Sequence, residues 1–254
     1  MCSTDTGSNK MIKTNLLPQQ RNLKFTEVST DMSRRAKHGG MFVVGSQSDW
    51  QSPNIIILAD SFFVSKREDP KQSIHFAHAL MTYLDHVFVG ATFLIVYKPG
   101  ACFWKPARND YVCMLEFIAE VFPQASPQSM LVISMGNDLY RPSLEGCRDS
   151  IAGEIQNFAH MARGMADEVH YVYGGSTELW RYPKHWMYDA EVRWIHGLLL
   201  SYGCTVTDGV PELTGIPTAD RIGHITSASI PIALRAVGRW LGALQYAPGF
   251  RSRL

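Results

Sequence analysis

Five short apolar runs recur along this chain at almost constant spacing: Asn54–Ala59, Ala91–Tyr97, Met130–Met135, Glu168–Tyr173 and Gly203–Thr207. Their ends fall at 59, 97, 135, 173 and 207, so successive ends lie 38, 38, 38 and 34 residues apart. That is the length of one strand, one covering helix and two connections. The runs are apolar throughout rather than alternating, as expected of strands buried on both faces. Between them, apolar residues step by three and four, the period of a helix. Ile74, Ala77, Met81 and Leu84 follow Asp69-Pro70, a natural N-cap and first-turn pair. Tyr111, Leu115, Ile118 and Phe122 form a second stripe, and Leu144 to Met165 a long third one. Val192, Ile195 and Leu199 mark a fourth, and Ile230, Leu234, Val237, Leu241 and Leu244 a fifth. Five strands alternating with five helices predict an α/β fold with a parallel five-stranded sheet covered on both faces.

In such a fold, function sits in the loops at the carboxyl ends of the strands. Ala59-Asp60-Ser61 follows the first run, and a serine there can present its hydroxyl where a helix start favours negative charge. Lys98-Pro99-Gly100 follows the second, and Gly100 permits a close backbone approach to a ligand. Gly136-Asn137-Asp138 follows the third, with an amide able to donate to an oxyanion. Ahead of the last helix lie Asp220 and His224, a carboxylate and an imidazole close enough to orient one another. Each feature alone is an ordinary turn or cap. Their arrival in consecutive loops at one sheet edge marks a site.

With those residues in order, the chain resembles the SGNH hydrolase family, also called GDSL esterases or lipases. The blocks are Ser61, Gly100, Asn137 and His224, and the resemblance spans residues 54–246. It implies a flavodoxin-like three-layer α/β/α sandwich and hydrolysis of a carboxylic ester of an acyl or acetyl group. By that resemblance Ser61 is the nucleophile, His224 the base and Asp220 its orienting partner. Ser61, Gly100 and Asn137 form the oxyanion hole, and no cofactor or metal is required. Three positions depart from the family pattern. Ala59 stands where the family has glycine, Met135 opens the third block, and Asp220 and His224 are four apart rather than three. Asp60, Trp104 and Trp180 are candidate substrate contacts, the tryptophans lying in the second loop and in the aromatic loop from Gly174 to Tyr188.

Composition narrows the partners. The 254 residues are 46% hydrophobic with a net charge of +1, so a large core is available and no global field draws nucleic acid or anionic membrane. The longest near-continuous apolar stretch, Val87–Tyr97, is 11 residues, short of the ~20 a membrane span needs. Five widely spaced cysteines without a CxxC pair point to reduced thiols. The N-terminus has no hydrophobic signal core, so an intracellular, cytoplasmic protein is expected. Residues 1–40 hold seven Lys/Arg against three acids, and residues 1–50 read as a basic, polar extension ahead of a 51–254 domain.

Rival readings remain at this level. A catalytically degenerate SGNH-fold binding module is one, with the basic arm 1–40 as its nucleic-acid contact. A flavin or nucleotide binder would want a phosphate loop after the first strand, and Ala59-Asp60-Ser61-Phe62-Phe63 has neither glycine pattern. His75 and His78, three apart, lack the carboxylates of a metal motif.

Overall fold

The computed structural model describes residues 23–28, 41–46, 53–63, 70–88, 91–103, 111–136, 138, 147–175, 185–209, 213, 216 and 224–244. Seven strands form one sheet: β1 (Leu23–Val28), β2 (Met41–Ser46), β3 (Ile55–Ala59), β4 (Phe93–Tyr97), β5 (Ser129–Ser134), β6 (Glu168–Tyr173) and β7 (Thr205–Asp208). Their order is β1-β2-β4-β3-β5-β6-β7. The last five in that order, β4-β3-β5-β6-β7, pair in parallel, as the apolar runs predict. Among the described residues five helices alternate with them: α1 (Pro70–Val87), α2 (Tyr111–Val121), α3 (Arg148–Met165), α4 (His185–Ser201) and α5 (Ile230–Gly242). Helix α1 begins at Pro70, where the missing amide costs no helical bond.

The continuous hydrophobicity of the strands has its cause in the layering. Ile56, Leu58, Val96 and Val132 face a cluster built with α2, α3 and α4 through Leu115, Phe158 and Ile195. Ile55, Ile57, Ile95 and Ile133 face the other cluster, with Leu80 of α1 and Val237 and Leu241 of α5. Every residue of β3 is fully buried. Each of its isoleucines and its leucine contributes roughly 1.5–3 kcal/mol of burial, so polar alternation would be unaffordable there.

One expectation is corrected. Residues 23–28 and 41–46 lie within the stretch read from sequence as an extension, yet they form β1 and β2. They pair antiparallel with each other, and β2 pairs antiparallel with β4, Phe42 opposite Tyr97. Their partner is the outer edge of β4, which the parallel strands leave open. An unpaired edge is a template for further strands, and the local charge of the segment does not reveal that. Among the described residues no helix is long and apolar enough to cross a membrane.

Candidate functional site

The chain runs from β3 out to β4 on one side, then back across to β5 on the other. The crevice between the carboxyl ends of β3 and β5 is therefore the point where the strand order reverses, the usual ligand position in open α/β sheets. Asp60 and Ser61 follow β3 into this crevice, and Met135 and Gly136 follow β5 into it. Ser61 opens a single 3-10 turn, Ser61–Phe63, whose three residues are buried. Phe62 and Phe63 pin that turn: Phe63 meets Phe76 of α1 at 4.9 Å and Tyr97 of β4 at 5.7 Å, and Phe62 meets Trp240 of α5 at 5.9 Å. The serine thus stands on a turn anchored by aromatic packing from three elements.

Ala59, the residue that replaces glycine, is the last residue of β3 and pairs with both Tyr97 and Ile133. Its backbone is extended, where an alanine carries no strain. Gly100 and Gly136 differ. Their φ angles are +80° and +74°, a region that favours glycine, so both loops turn at positions their sequence permits. Lys98 donates its backbone amide to Ala59 O at 2.9 Å, and Ala101 closes the following turn onto Lys98 O at 3.1 Å.

His224 is 1% exposed and precedes Ile225, which packs in the same apolar cluster as Phe62 and Phe63. Its Nε2 nitrogen is buried and is not hydrogen-bonded to the Ser61 hydroxyl. Asn137, Asp220, Trp104 and Trp180 lie outside the described residues, as do the side chains of His75 and His78. Among the described residues no three His, Cys, Asp or Glu side chains gather as a metal site.

Asp60 is held by hydrogen bonds within the protein. Expected as a substrate contact, it is fully buried and its carboxylate turns into the protein. It accepts the Met135 amide at 2.7 Å and the Phe62 amide at 3.1 Å. The hydroxyls of Ser134 and Tyr111 also donate to it, each at 3.4 Å. Burial raises its pKa from 3.8 to about 7, against the opposing pull of the two amides and the Ser134 hydroxyl. Asp138, 1% exposed, accepts the Phe103 amide at 3.0 Å. Sequence reasoning passed over Asp138, Ser134 and Tyr111. The one signal for Asp138 was its place beside Asn137 in the third loop, and nothing in the residue order marks the two hydroxyls.

A separate open groove of about 460 Å³ lies along α3 and the end of α4, lined by Asn157, His160, Arg163 and Tyr202. Arg163 and Tyr202 lead into β6 and β7, so this groove belongs to the opposite, amino end of the sheet.

No family model matches the chain, and no curated protein matches its sequence. Solved structures do match its shape. A catalytic mutant of Axe2, an acetylxylan esterase from Geobacillus stearothermophilus, superposes with a TM-score of 0.51 at 15% identity, covering 79% of this chain and 97% of that one. Another Axe2 mutant, an acetyl-xylooligosaccharide esterase, gives 0.50 at 16% identity over the same shares. LAE5, an alpha/beta hydrolase enzyme from the metagenome of Lake Arreo, Spain, gives 0.53 at 13% identity, covering 74% of this chain and 94% of that one. At such identities the likeness establishes a shared α/β architecture.

Proposed function

We propose that this protein is a serine ester hydrolase of SGNH type, cleaving an acyl or acetyl group from an alcohol. The observation that supports this most is the position of Ser61. It stands on a pinned turn directly after β3, at the crevice where the strand order reverses, and a buried histidine, His224, lies in the segment leading to α5. The shared architecture with solved esterases adds support at the level of fold.

In this mechanism Ser61 Oγ attacks the ester carbonyl while His224 takes its proton. The carbonyl oxygen becomes an oxyanion, held by the backbone amides of Ser61 and Gly100 and by the Asn137 side chain. The carbon–oxygen bond to the alcohol then breaks, and His224 returns the proton to the leaving alkoxide. Water repeats the sequence on the acyl-serine, releasing the acid and restoring Ser61. Asp220 orients the imidazole, while Trp104 and Trp180 line the acyl or sugar side of the substrate. The small acetyl group is the first substrate to try, because the structural neighbours act on acetylated xylan and xylooligosaccharides.

Hydrolysis of p-nitrophenyl acetate tests the reading. Wild-type protein turns it over, Ser61→Ala abolishes turnover, and Asn137→Ala slows it by roughly 100–1000-fold, the usual effect of losing one oxyanion donor. Equal activity in all three proteins would refute the assignment.

A further inference from the structure

Two buried carboxylates at the carboxyl edge have no part in the bond-making steps, yet they join the loops that carry those steps. Asp60, from the first loop, holds the Met135 amide of the third loop and the Phe62 amide of its own turn. Asp138, from the third loop, holds the Phe103 amide of the second. Gly136, between them, donates its amide to Ser134 Oγ at 3.0 Å, and that hydroxyl in turn donates to Asp60. The result is two ties that both end on the third loop: Asp60 joins the Phe62 turn to Met135, and Asp138 joins Phe103 of the second loop to the third. These bonds are buried, and those from Met135 to Asp60 and from Phe103 to Asp138 join segments 75 and 35 residues apart. We propose that Asp60 and Asp138 are positioning residues that set the spacing of the first, second and third loops, and so the aim of the oxyanion donors at Ser61, Gly100 and Asn137.

The proposal rests on the esterase reading for its catalytic consequence, but the ties themselves do not. The geometry distinguishes the two oxygens of Asp60. Oδ1 accepts Phe62, while Oδ2 accepts Met135 and faces the Ser134 and Tyr111 hydroxyls. A protonated Asp60 keeps both ties, because its proton can point from Oδ2 to one of those hydroxyls while Oδ2 still accepts Met135. An asparagine cannot. It has one oxygen, and its NH2 group meets either the Met135 or the Phe62 amide donor to donor. The groups that face Asp60 are Tyr111 from α2, Ser134 from β5, Tyr171 from β6 and Asp138 from the third loop. Both tyrosines are held neutral, their ionisation pushed well up by burial. Asp138 is therefore the one described acid whose charge opposes that of Asp60 ionised, and the two carboxylates share the edge best when Asp60 carries its proton.

The test compares wild type with Asp60→Asn, Asp60→Ala, Asp138→Asn and Asp138→Ala in two measurements. Amide hydrogen exchange on the folded proteins reads the ties directly. Met135 or Phe62 exchanges roughly 10-fold faster or more in Asp60→Asn, and both do so in Asp60→Ala, the loss expected when a buried amide is left without its acceptor. Phe103 does so in Asp138→Ala but keeps its protection in Asp138→Asn, whose amide oxygen can still accept it. Turnover of p-nitrophenyl acetate reads the consequence: Asp60→Asn and Asp138→Ala lose roughly 10- to 100-fold in kcat with KM little changed, and Asp138→Asn recovers most of it. Unchanged exchange at all three amides overturns the proposal, whether or not the protein is an esterase. Faster exchange with wild-type kcat also overturns it, leaving the carboxylates as structural ties only. Absence of turnover in wild type defeats the esterase reading instead, and exchange alone then decides whether the carboxylates set the loops. The asparagine variants keep the shape of the side chain, so the comparison survives if an alanine variant fails to fold.

Discussion

The two ends of the sheet solve one problem with different chemistry. At the amino end, β3, β4 and β5 are tied together by neutral groups. Asn54 accepts the Thr92 amide on Oδ1 at 3.0 Å, donates its own amide to Thr92 Oγ1 at 2.8 Å, and takes the Gln128 amide on its carbonyl at 2.8 Å. Asn54 and Thr92 are only partly buried. At the carboxyl end the loops of the same three strands are tied by Asp60 and Asp138, both buried. A buried carboxylate carries a desolvation cost that an amide or hydroxyl does not. Neutral ties suffice to hold these strands together, as the amino end demonstrates. The costlier solution sits in the loops that follow β3 and β5, next to Ser61.

Three outcomes would break or sharpen this contrast. Under the esterase reading, His224→Ala removes the base and lowers kcat by roughly 10⁴–10⁶-fold, with circular dichroism unchanged. A smaller loss than tenfold would move the base elsewhere.

The next effect appears in stability. Asp60 binds its proton more tightly folded, at about 7, than unfolded, near 3.8. Its contribution to stability is complete below pH 4 and is lost as pH rises toward 7, a decline on the order of 4 kcal/mol at one pKa unit per 1.4 kcal/mol. Urea unfolding of wild type at pH 5 and pH 8 reads that decline, and Asp60→Asn flattens it. A wild-type curve that rises over that range at the same rate as the variant's would show Asp60 ionised and comfortable in its site.

At the amino end, Asn54→Ala lowers unfolding free energy by about 1–2 kcal/mol through its lost hydrogen bonds. It leaves kcat of the folded fraction unchanged, which thermal melts and turnover measure together. A fall in kcat as large as that of Asp60→Asn would erase the distinction between the two ends.

How much of this could be read from residue order follows from where each signal resides. Strands β3, β4 and β5 are legible because burial on both faces makes their middles apolar, β6 and the partly exposed β7 through the regular spacing, and the helices because their stripes recur at three and four. Strands β1 and β2 are not legible in the same way. LKFTEV and MFVVGS lie in a basic, polar stretch, and what recruits them is the open edge of β4, which only the assembled sheet presents. The places of Ser61 after β3 and Gly100 after β4 are legible because a loop after a strand end has a known place in this architecture. The direction of the Asp60 side chain is not. It follows the last residue of β3, where the inward and outward alternation ends, and its partners on other elements, Tyr111, Ser134 and the Met135 amide, lie 51 to 75 residues further on. Asp138 is ambiguous for the same reason, since its partner, Phe103, is 35 residues away.

The central claim is that Ser61 is an activated nucleophile at this edge, and covalent labelling tests it most directly. A fluorophosphonate probe, followed by mass spectrometry of the digested protein, should modify wild type at Ser61 and leave Ser61→Ala unlabelled. Labelling at a different residue, or none in folded wild-type protein, would contradict it.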